Sequence, residues 1–94
     1  MSFTASTTVE TVKASGYLPQ LCKHFGHKTD TSYSTEAGWI EFDFGRADLE
    51  AAEGQLEMKA SAETQEALAR LKNVLASHLE RFAFREELSI NWAD

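Results

Sequence analysis

Cysteine and proline are nearly missing from this chain, which has one of each among its 94 residues. Because Cys22 has no second cysteine to pair with, no internal disulfide can form, and this fits a reducing compartment. Long apolar runs are missing too, and none approaches the roughly 18 residues of a membrane-spanning helix. The first seven residues hold no basic group and no apolar run, so they do not predict a signal peptide. We therefore expect a cytoplasmic protein that makes no contact with a membrane.

Basic residues are in the minority, with nine Lys and Arg against fifteen Asp and Glu, and the formal charge is −6. A negative field of this size repels a phosphate backbone, so nucleic acid is not an expected partner. The sequence also lacks the GxSxG, P-loop and GxGxxG patterns and shows no nucleophile placed beside a base. An enzyme is consequently the least favoured interpretation.

The residues that are present favour a folded protein, since hydrophobic types make up 43% of the chain and argue against disorder. A chain of this length buries roughly two-thirds of its unfolded surface, which is enough for a core without disulfides. We expect residues 1–94 to form a single domain.

The N-terminal third of the chain predicts a strand followed by a short helix. Apolar and β-branched residues alternate over residues 3–12, as in a half-buried strand. A helical stripe follows, formed by Leu18, Leu21, Cys22 and Phe25. We place this helix at about residues 16–25, with Ser15 as its N-cap and Pro19 in its first turn. Gly26 is expected to end it in the left-handed conformation.

Four short strands are predicted next, separated by turns at residues 36–38, 45–46 and 53–54 that each contain a glycine. The alternating residues are Thr31, Tyr33, Thr35, Ile40, Phe42, Phe44, Leu49, Ala51, Leu56, Met58 and Ala60. One face of this antiparallel meander should be apolar, and the other, mostly acidic, should face water.

A long amphipathic helix is predicted over about residues 62–82, and alternation over residues 88–92 predicts a closing strand. The helix carries an apolar stripe of Leu68, Leu71, Leu75, Leu79 and Phe82. The order β-α-β-β-β-β-α-β indicates a two-layer α+β fold, in which an antiparallel sheet carries both helices on one face. It resembles the TATA-binding-protein-like arrangement, an analogy that carries no function.

One cysteine and two histidines, which are metal-ligating residue types, lie within residues 22–28. Cys22 and His24 are about 200° apart around a helical wheel, so they point to opposite sides of an intact helix. Cys22 belongs to the apolar stripe, and we predict a small buried hydrophobe that is inert to thiol reagents. We expect no structural zinc site and no tightly held metal ion.

Basic and titratable residues gather at the C-terminal ends of both predicted helices. They are Lys23, His24, His27 and Lys28 at the first end, and His78, Arg81 and Arg85 at the second. If both helices pack on one face of the sheet, the two segments can converge into a positive patch that binds an anion or an acidic partner. Alternatively, each group neutralises the partial negative charge of its own helix end.

Several of these residues have a purely structural alternative. His78 borders the apolar stripe and is expected to be partly buried and to donate one hydrogen bond, unless it serves a site. Arg81 and Arg85 can pair with neighbouring glutamates instead of a ligand. Trp39 lies on the acidic strand face, where it either marks a partner surface or packs across a strand pair.

Residues 17–28 (YLPQLCKHFGHK) and 78–88 (HLERFAFREEL) are long, specific segments, and residues 38–42 (GWIEF) and Trp92 accompany them. Together they resemble the bacterial domain-of-unknown-function family 2218 over nearly the whole chain, with Pro19 where a residue such as Lys is more typical. Members of that family stand alone or resemble an extra domain beside siderophore-interacting flavoproteins, which reduce ferric siderophores. The resemblance implies a context of iron uptake and transfers no catalytic residue.

The first functional hypothesis is therefore a non-enzymatic accessory module without a cofactor, which binds a protein or a small anionic ligand in iron or siderophore handling. The second is a metal- or haem-binding protein that uses His24, His27 or His78, and copurification of a metal or chromophore would favour it. The third is a small enzyme, which turnover of a ferric chelate with a reductant would favour. A homodimer stays open.

Overall fold

The computed structural model describes residues 2–26, 29–83 and 90–93. The elements, in chain order, are β1 (Phe3–Glu10), α1 (Ala14–Phe25), β2 (Asp30–Tyr33), β3 (Ala37–Phe42), β4 (Gly45–Ala52), β5 (Gln55–Ala62) and α2 (Gln65–Phe82). The strands form one antiparallel sheet in the order β1-β5-β4-β3-β2. The predicted α+β class and the order β-α-β-β-β-β-α are confirmed.

The sheet combines a four-stranded meander, β2 to β5, with β1 added beside β5. Because β1 and β2 are the two edge strands, the connection between them has to cross the sheet, and α1 makes this crossing. Accordingly α1 contacts β2, β3, β4 and β5, whereas α2 contacts β1, β4 and β5, and the two helices contact each other. This mutual contact brings their C-terminal turns within reach of one another.

Burial alternates along the strands, so one face of the sheet is covered by the helices and the other is open. On β1, for example, Ala5 and Val9 are buried while Thr4 and Thr8 are exposed. The largest fully buried side chains of the core are Val9, Leu18, Leu21, Cys22, Ile40, Leu56, Met58, Leu71, Leu75 and Leu79. They include most of the two predicted helix stripes, because a period of 3.6 places apolar groups on one side of a helix. Of the predicted strand residues, Thr31, Phe42, Phe44 and Ala51 are only partly buried, and Tyr33 and Thr35 are exposed.

The predicted end of α1 at Phe25 is confirmed, but its start and the conformation of Gly26 were predicted wrongly. The helix begins at Ala14, which leaves Ser15 inside the first turn and Pro19 beyond it, and its N-cap residue, Lys13, makes no side-chain capping bond. Gly26 lies in the right-handed helical region, at φ −64° and ψ −13°. The reason lies just beyond the helix, where the backbone N–H and the hydroxyl of Thr29 both donate to the last helical carbonyl, that of Phe25.

Two predicted turns were misplaced because their glycines serve close packing. The turn between β2 and β3 lies before residue 37, where the Ser34 hydroxyl accepts from the N–H groups of Glu36 and Ala37. Gly38 belongs to β3, and a Cβ there would lie 3.0 Å from the Cys22 sulfur and 2.9 Å from the Cβ of Tyr33. A strand glycine often marks such a close approach.

The next turn shows the same effect. Gly45 and Arg46 open β4, and the two-residue turn before them is Asp43-Phe44. A Cβ on Gly45 would lie 2.6 Å from the Ser61 carbonyl oxygen. The predicted turn at residues 53–54 is confirmed, and Gly54 there has a φ of +76°, which favours glycine.

The long helix starts later than predicted, at Gln65, because residue 62 still belongs to β5 and the Thr64 side chain accepts from the Ala67 N–H as an N-cap. Of the predicted closing strand, residues 88 and 89 lie outside the described part of the chain. Residues 90–92 are not in a strand, and Ala93 forms a single antiparallel bridge with Ser6.

Candidate functional site

The C-terminal turns of α1 and α2 meet in a group of aromatic side chains that we call the helix-end cluster. It consists of His24, Phe25, Phe42, His78 and Phe82. The His24 and His78 ring centroids are 4.8 Å apart with the ring planes at 47°. The sequence-based expectation that the two helix ends can converge is thus met for these two histidines.

Edge-to-face contacts hold the cluster together. The His24 ring lies 5.1 Å from Phe25 and 5.6 Å from Phe82, and His78 lies 4.8 Å from Phe25. Phe25 also contacts Phe42 of β3, at 5.1 Å, so the sheet supports the helix ends from below. Aromatic pairs at these distances favour such offset and T-shaped geometries, which fix the orientation of each ring.

His78 is half-buried, and its Nδ1 lies 2.7 Å from the carbonyl oxygen of Val74, one turn earlier in α2. Because a carbonyl can only accept, Nδ1 carries the hydrogen and donates it. The neutral ring therefore has its lone pair on Nε2. This confirms the prediction of a partly buried histidine that donates one hydrogen bond, and it also leaves one nitrogen able to accept or to ligate.

The last turn of each helix carries an exposed cationic side chain, Lys23 in α1 and Arg81 in α2. Neither forms an ion pair with any residue in the described ranges, and this includes Arg81 with Glu80. The predicted residues His27, Lys28 and Arg85 lie outside the described part of the chain.

Cys22 lies on the other side of α1 from His24, as the helical wheel predicts. It is fully buried, and this burial raises the pKa of its thiol above the ordinary value of 9.0, an effect that a hydrogen bond with the Thr31 side chain partly offsets. Its predicted role as a small buried hydrophobe is confirmed. Cys22 is therefore no part of the helix-end cluster.

In the described part of the chain, no group of three or more His, Cys, Asp or Glu side chains is arranged to hold a metal ion. His24 and His78 are two nitrogen donors without a third protein ligand among these residues. In residues 2–26, 29–83 and 90–93, no helix is long and apolar enough to span a bilayer.

Trp39 lies on the open face of the sheet, where the structure favours the packing alternative. The Arg46 guanidinium stacks over its ring at 4.9 Å from the centroid. Arg46 is held there by Asp48 at 3.1 Å and Glu41 at 3.6 Å. Trp39 is consequently half-covered by its cross-strand neighbour.

A groove of about 480 Å³ lies beside the cluster, between the β3–β4 turn and the start of α2. Phe42 and Phe44 form part of its wall, and Glu41, Asp43 and Glu63 place carboxylates around it.

Sequence reasoning missed Phe25, Phe42 and Phe82 as members of the helix-end cluster, because each was assigned to a core stripe. The available signal was that Phe25 and Phe82 are each the last member of a stripe, at a helix end.

Comparison with known proteins gives a family and a solved structure. The model of a family described as "uncharacterized protein conserved in bacteria" (DUF2218) matches residues 6–93. The NMR structure of PA4090 from Pseudomonas aeruginosa is 35% identical to this chain and covers 97% of it, with 95% of that chain covered and a TM-score of 0.83. No curated protein sequence matches the chain.

Proposed function

The chain belongs to this DUF2218 family of conserved bacterial proteins, as its sequence resemblance predicted. Because the family is uncharacterised, we propose the function chiefly from the site. It is a non-enzymatic cytosolic module that binds a small aromatic anion at the helix-end cluster. The observation that carries the proposal is the His24–His78 pair, at the ends of two helices that each have a cation in the last turn.

The charge of the ligand follows from Lys23 and Arg81. In a chain of net charge −6, these two exposed side chains lie at the helix ends where His24 and His78 meet, and they are not paired with any described acid. An arginine in this position can hold a carboxylate or a phenolate pair through two parallel N–H donors. The competing explanation, in which each cation only neutralises its helix end, predicts no shared ligand.

The shape of the ligand follows from the rings. Half-buried Phe25 and Phe82 and the exposed His24 offer aromatic edges and faces, against which a flat ring gains more than a phosphate ion does. A catecholate combines a flat ring with negative charge. This chemistry suits the iron–siderophore context that the family resemblance implies, and we place the module there.

The chemistry of the chain supports binding over catalysis. Its one thiol is fully buried, and burial raises the pKa of Cys22, so a reactive thiolate is disfavoured. The His78 ring contacts the rings of His24 and Phe25 and the Val74 carbonyl. Aromatic surroundings of this kind suit the positioning of a ligand.

The test is an NMR titration with phosphate, citrate and 2,3-dihydroxybenzoate as separate ligands. We expect the catecholate to shift the signals of His24, His78 and their neighbours and to bind more tightly than phosphate. Arg81→Gln should weaken this binding at least fivefold, whereas Lys59→Gln, which removes an exposed cation from the open sheet face, should leave it unchanged. Shifts confined to other surfaces, equal loss in both variants, or no shifts would refute the proposal.

A further inference from the structure

The two imidazoles of the helix-end cluster also have a ring separation that is compatible with a pair of metal ligands. We propose that His24 and His78 form a reversible, two-histidine site for a borderline divalent transition-metal ion such as zinc. The inference concerns the same histidines as the proposed anion site but does not depend on it, and the two make opposite predictions for one variant.

The ring separation is the first argument. A ligating imidazole nitrogen lies about 2.0–2.1 Å from zinc, which puts two imidazoles on one tetrahedral ion about 5 Å apart, centre to centre. His24 and His78 are 4.8 Å apart with the ring planes inclined by 47°. Because they come from α1 and α2, an ion held between them would also tie the two helices together.

The second argument is the tautomer of His78. Metal-ligating histidines commonly donate their other ring N–H to a carboxylate or a backbone carbonyl, which orients the ring and raises its basicity. The His78 Nδ1 makes this bond to the Val74 carbonyl, at 2.7 Å, and so the lone pair is on Nε2.

The third argument is that the site is partly built before an ion arrives. Contacts with Phe25 and Phe82 restrict the His24 ring, and Phe25 also restricts His78, which lowers the ordering cost of binding. Carbonyl groups at two helix C-termini favour a cation nearby. His24 is exposed, so an ion can enter, and water can supply the remaining ligands.

We expect the two-histidine site to bind zinc with moderate affinity, for two reasons. The described residues supply two protein ligands, fewer than the three or four of established zinc sites. Lys23 and Arg81 add positive charge beside the histidines, which opposes a cation. The expectation that no ion is tightly held through purification is compatible with such a site.

The experiment is a calorimetric titration of the whole chain with zinc chloride, in a buffer free of phosphate, citrate and other chelators. One zinc ion should bind per chain. His24→Phe and His78→Phe, which keep a ring in the cluster, should each weaken binding at least tenfold. Cys22→Ala should leave it unchanged, because the buried thiol lies on the other side of α1.

One variant should have opposite effects on zinc binding and on anion binding, and it therefore distinguishes this inference from the proposed anion site. Lys23→Gln should strengthen zinc binding about twofold or more by removing a nearby positive charge, while it should weaken binding of 2,3-dihydroxybenzoate. Imidazole ¹⁵N shifts of His24 and His78 on addition of zinc locate the ion. Zinc binding that survives both His→Phe changes, or that is lost in Cys22→Ala, overturns the inference, as does no binding up to millimolar zinc. If a His→Phe variant gives an unfolded NMR spectrum, His→Gln at the same position decides in its place.

Discussion

The His24 and His78 rings are neighbours, with their centroids 4.8 Å apart, although the whole four-stranded meander separates their helices along the chain. The contact exists because α1 and α2 pack on the same face of the sheet and touch each other. It places both imidazoles against Phe25, whose ring in turn contacts Phe42 of the sheet. A titratable pair is thus anchored in the aromatic edge of the core.

The burial of Cys22 predicts a specific pH dependence of stability. Burial raises its pKa in the folded state above the ordinary value of 9.0, so the unfolded chain loses this proton first as pH rises. The stabilisation is complete below the unfolded pKa and is lost as pH rises through the folded pKa. The difference in free energy of unfolding between the natural chain and Cys22→Ala should be constant below about pH 8 and shrink above about pH 9.

Urea unfolding at a series of pH values measures this difference, and the alanine variant cancels the titration of all other groups. A difference that grows with pH would contradict the assignment. Iodoacetamide provides a second check, since Cys22 should react slowly in the native protein and rapidly in denaturant.

Thr7 places a hydroxyl in the core where a methyl group would be better accommodated. The residue is 5% exposed, and its Oγ1 has no hydrogen-bond partner among the described residues. Thr7→Val should raise the free energy of unfolding by about 1 kcal/mol, because a buried unsatisfied hydroxyl is costly. Thr8→Val, on the open face of the same strand, should change it by less than about 0.5 kcal/mol. Destabilisation by Thr7→Val would mean that the hydroxyl is hydrogen-bonded.

Two glycines should respond in opposite directions to the same substitution. Gly45→Ala would bring a Cβ within 2.6 Å of the Ser61 carbonyl oxygen, so strands β4 and β5 must shift at a cost of about 1–3 kcal/mol. Gly16→Ala meets nothing within 4 Å and lies in α1, where alanine is the better helix former, so it should stabilise by up to about 1 kcal/mol. Thermal and urea unfolding of both variants test the pair. Equal effects would refute the packing role of Gly45.

Gly38 and Gly45 show why part of the fold could not be predicted from the sequence. Alternation and helical stripes depend only on local spacing, and they located the five strands and two helices of the described residues. They also predicted a closing strand over residues 88–92, of which the described part, residues 90–92, is not in a strand. Gly38 and Gly45 looked like turn residues because the sequence does not show that Cys22 and Ser61 approach them. The two misplaced turns follow from these tertiary contacts.

The candidate site, too, could be predicted only in part from the sequence. His24 and His78 were individually identifiable as titratable groups at helix ends, and the burial and hydrogen bond of His78 followed from its position on the wheel. Their contact depends on how α1 and α2 pack, which no local pattern encodes. Phe42 reaches the cluster from a different element, and its alternation pattern indicated only a core position.

Pro19 predicts a weak point in α1. It is the sixth residue of the helix and has no N–H to donate to the Ser15 carbonyl, four residues earlier. Pro19→Ala should restore this bond and raise stability by about 1–2 kcal/mol, less than the full proline penalty because proline also restricts the unfolded chain. Gln20→Ala, at the next and exposed position, is the control and should change stability by under about 0.5 kcal/mol. Loss of stability in Pro19→Ala would show that packing of the proline ring stabilises the fold by more than the missing helical hydrogen bond costs.

The contact between His24 and His78 should be measurable as a coupling free energy, independent of any ligand. In a double-mutant cycle of His24→Ala and His78→Ala, we expect the two changes to be non-additive by about 0.5–1.5 kcal/mol, the usual range for an aromatic pair. His78→Ala alone should lower the free energy of unfolding more than His78→Phe does, because phenylalanine keeps the ring contact with Phe25 and loses only the hydrogen bond to Val74. That loss is small, since the Val74 carbonyl also accepts the ordinary helical bond. The control cycle pairs His24→Ala with Thr8→Ala, which lies on the open face of the sheet and should show no coupling. If His24 and His78 prove additive as well, the rings do not form a persistent pair in solution, and neither an anion nor a metal ion would find the site already assembled.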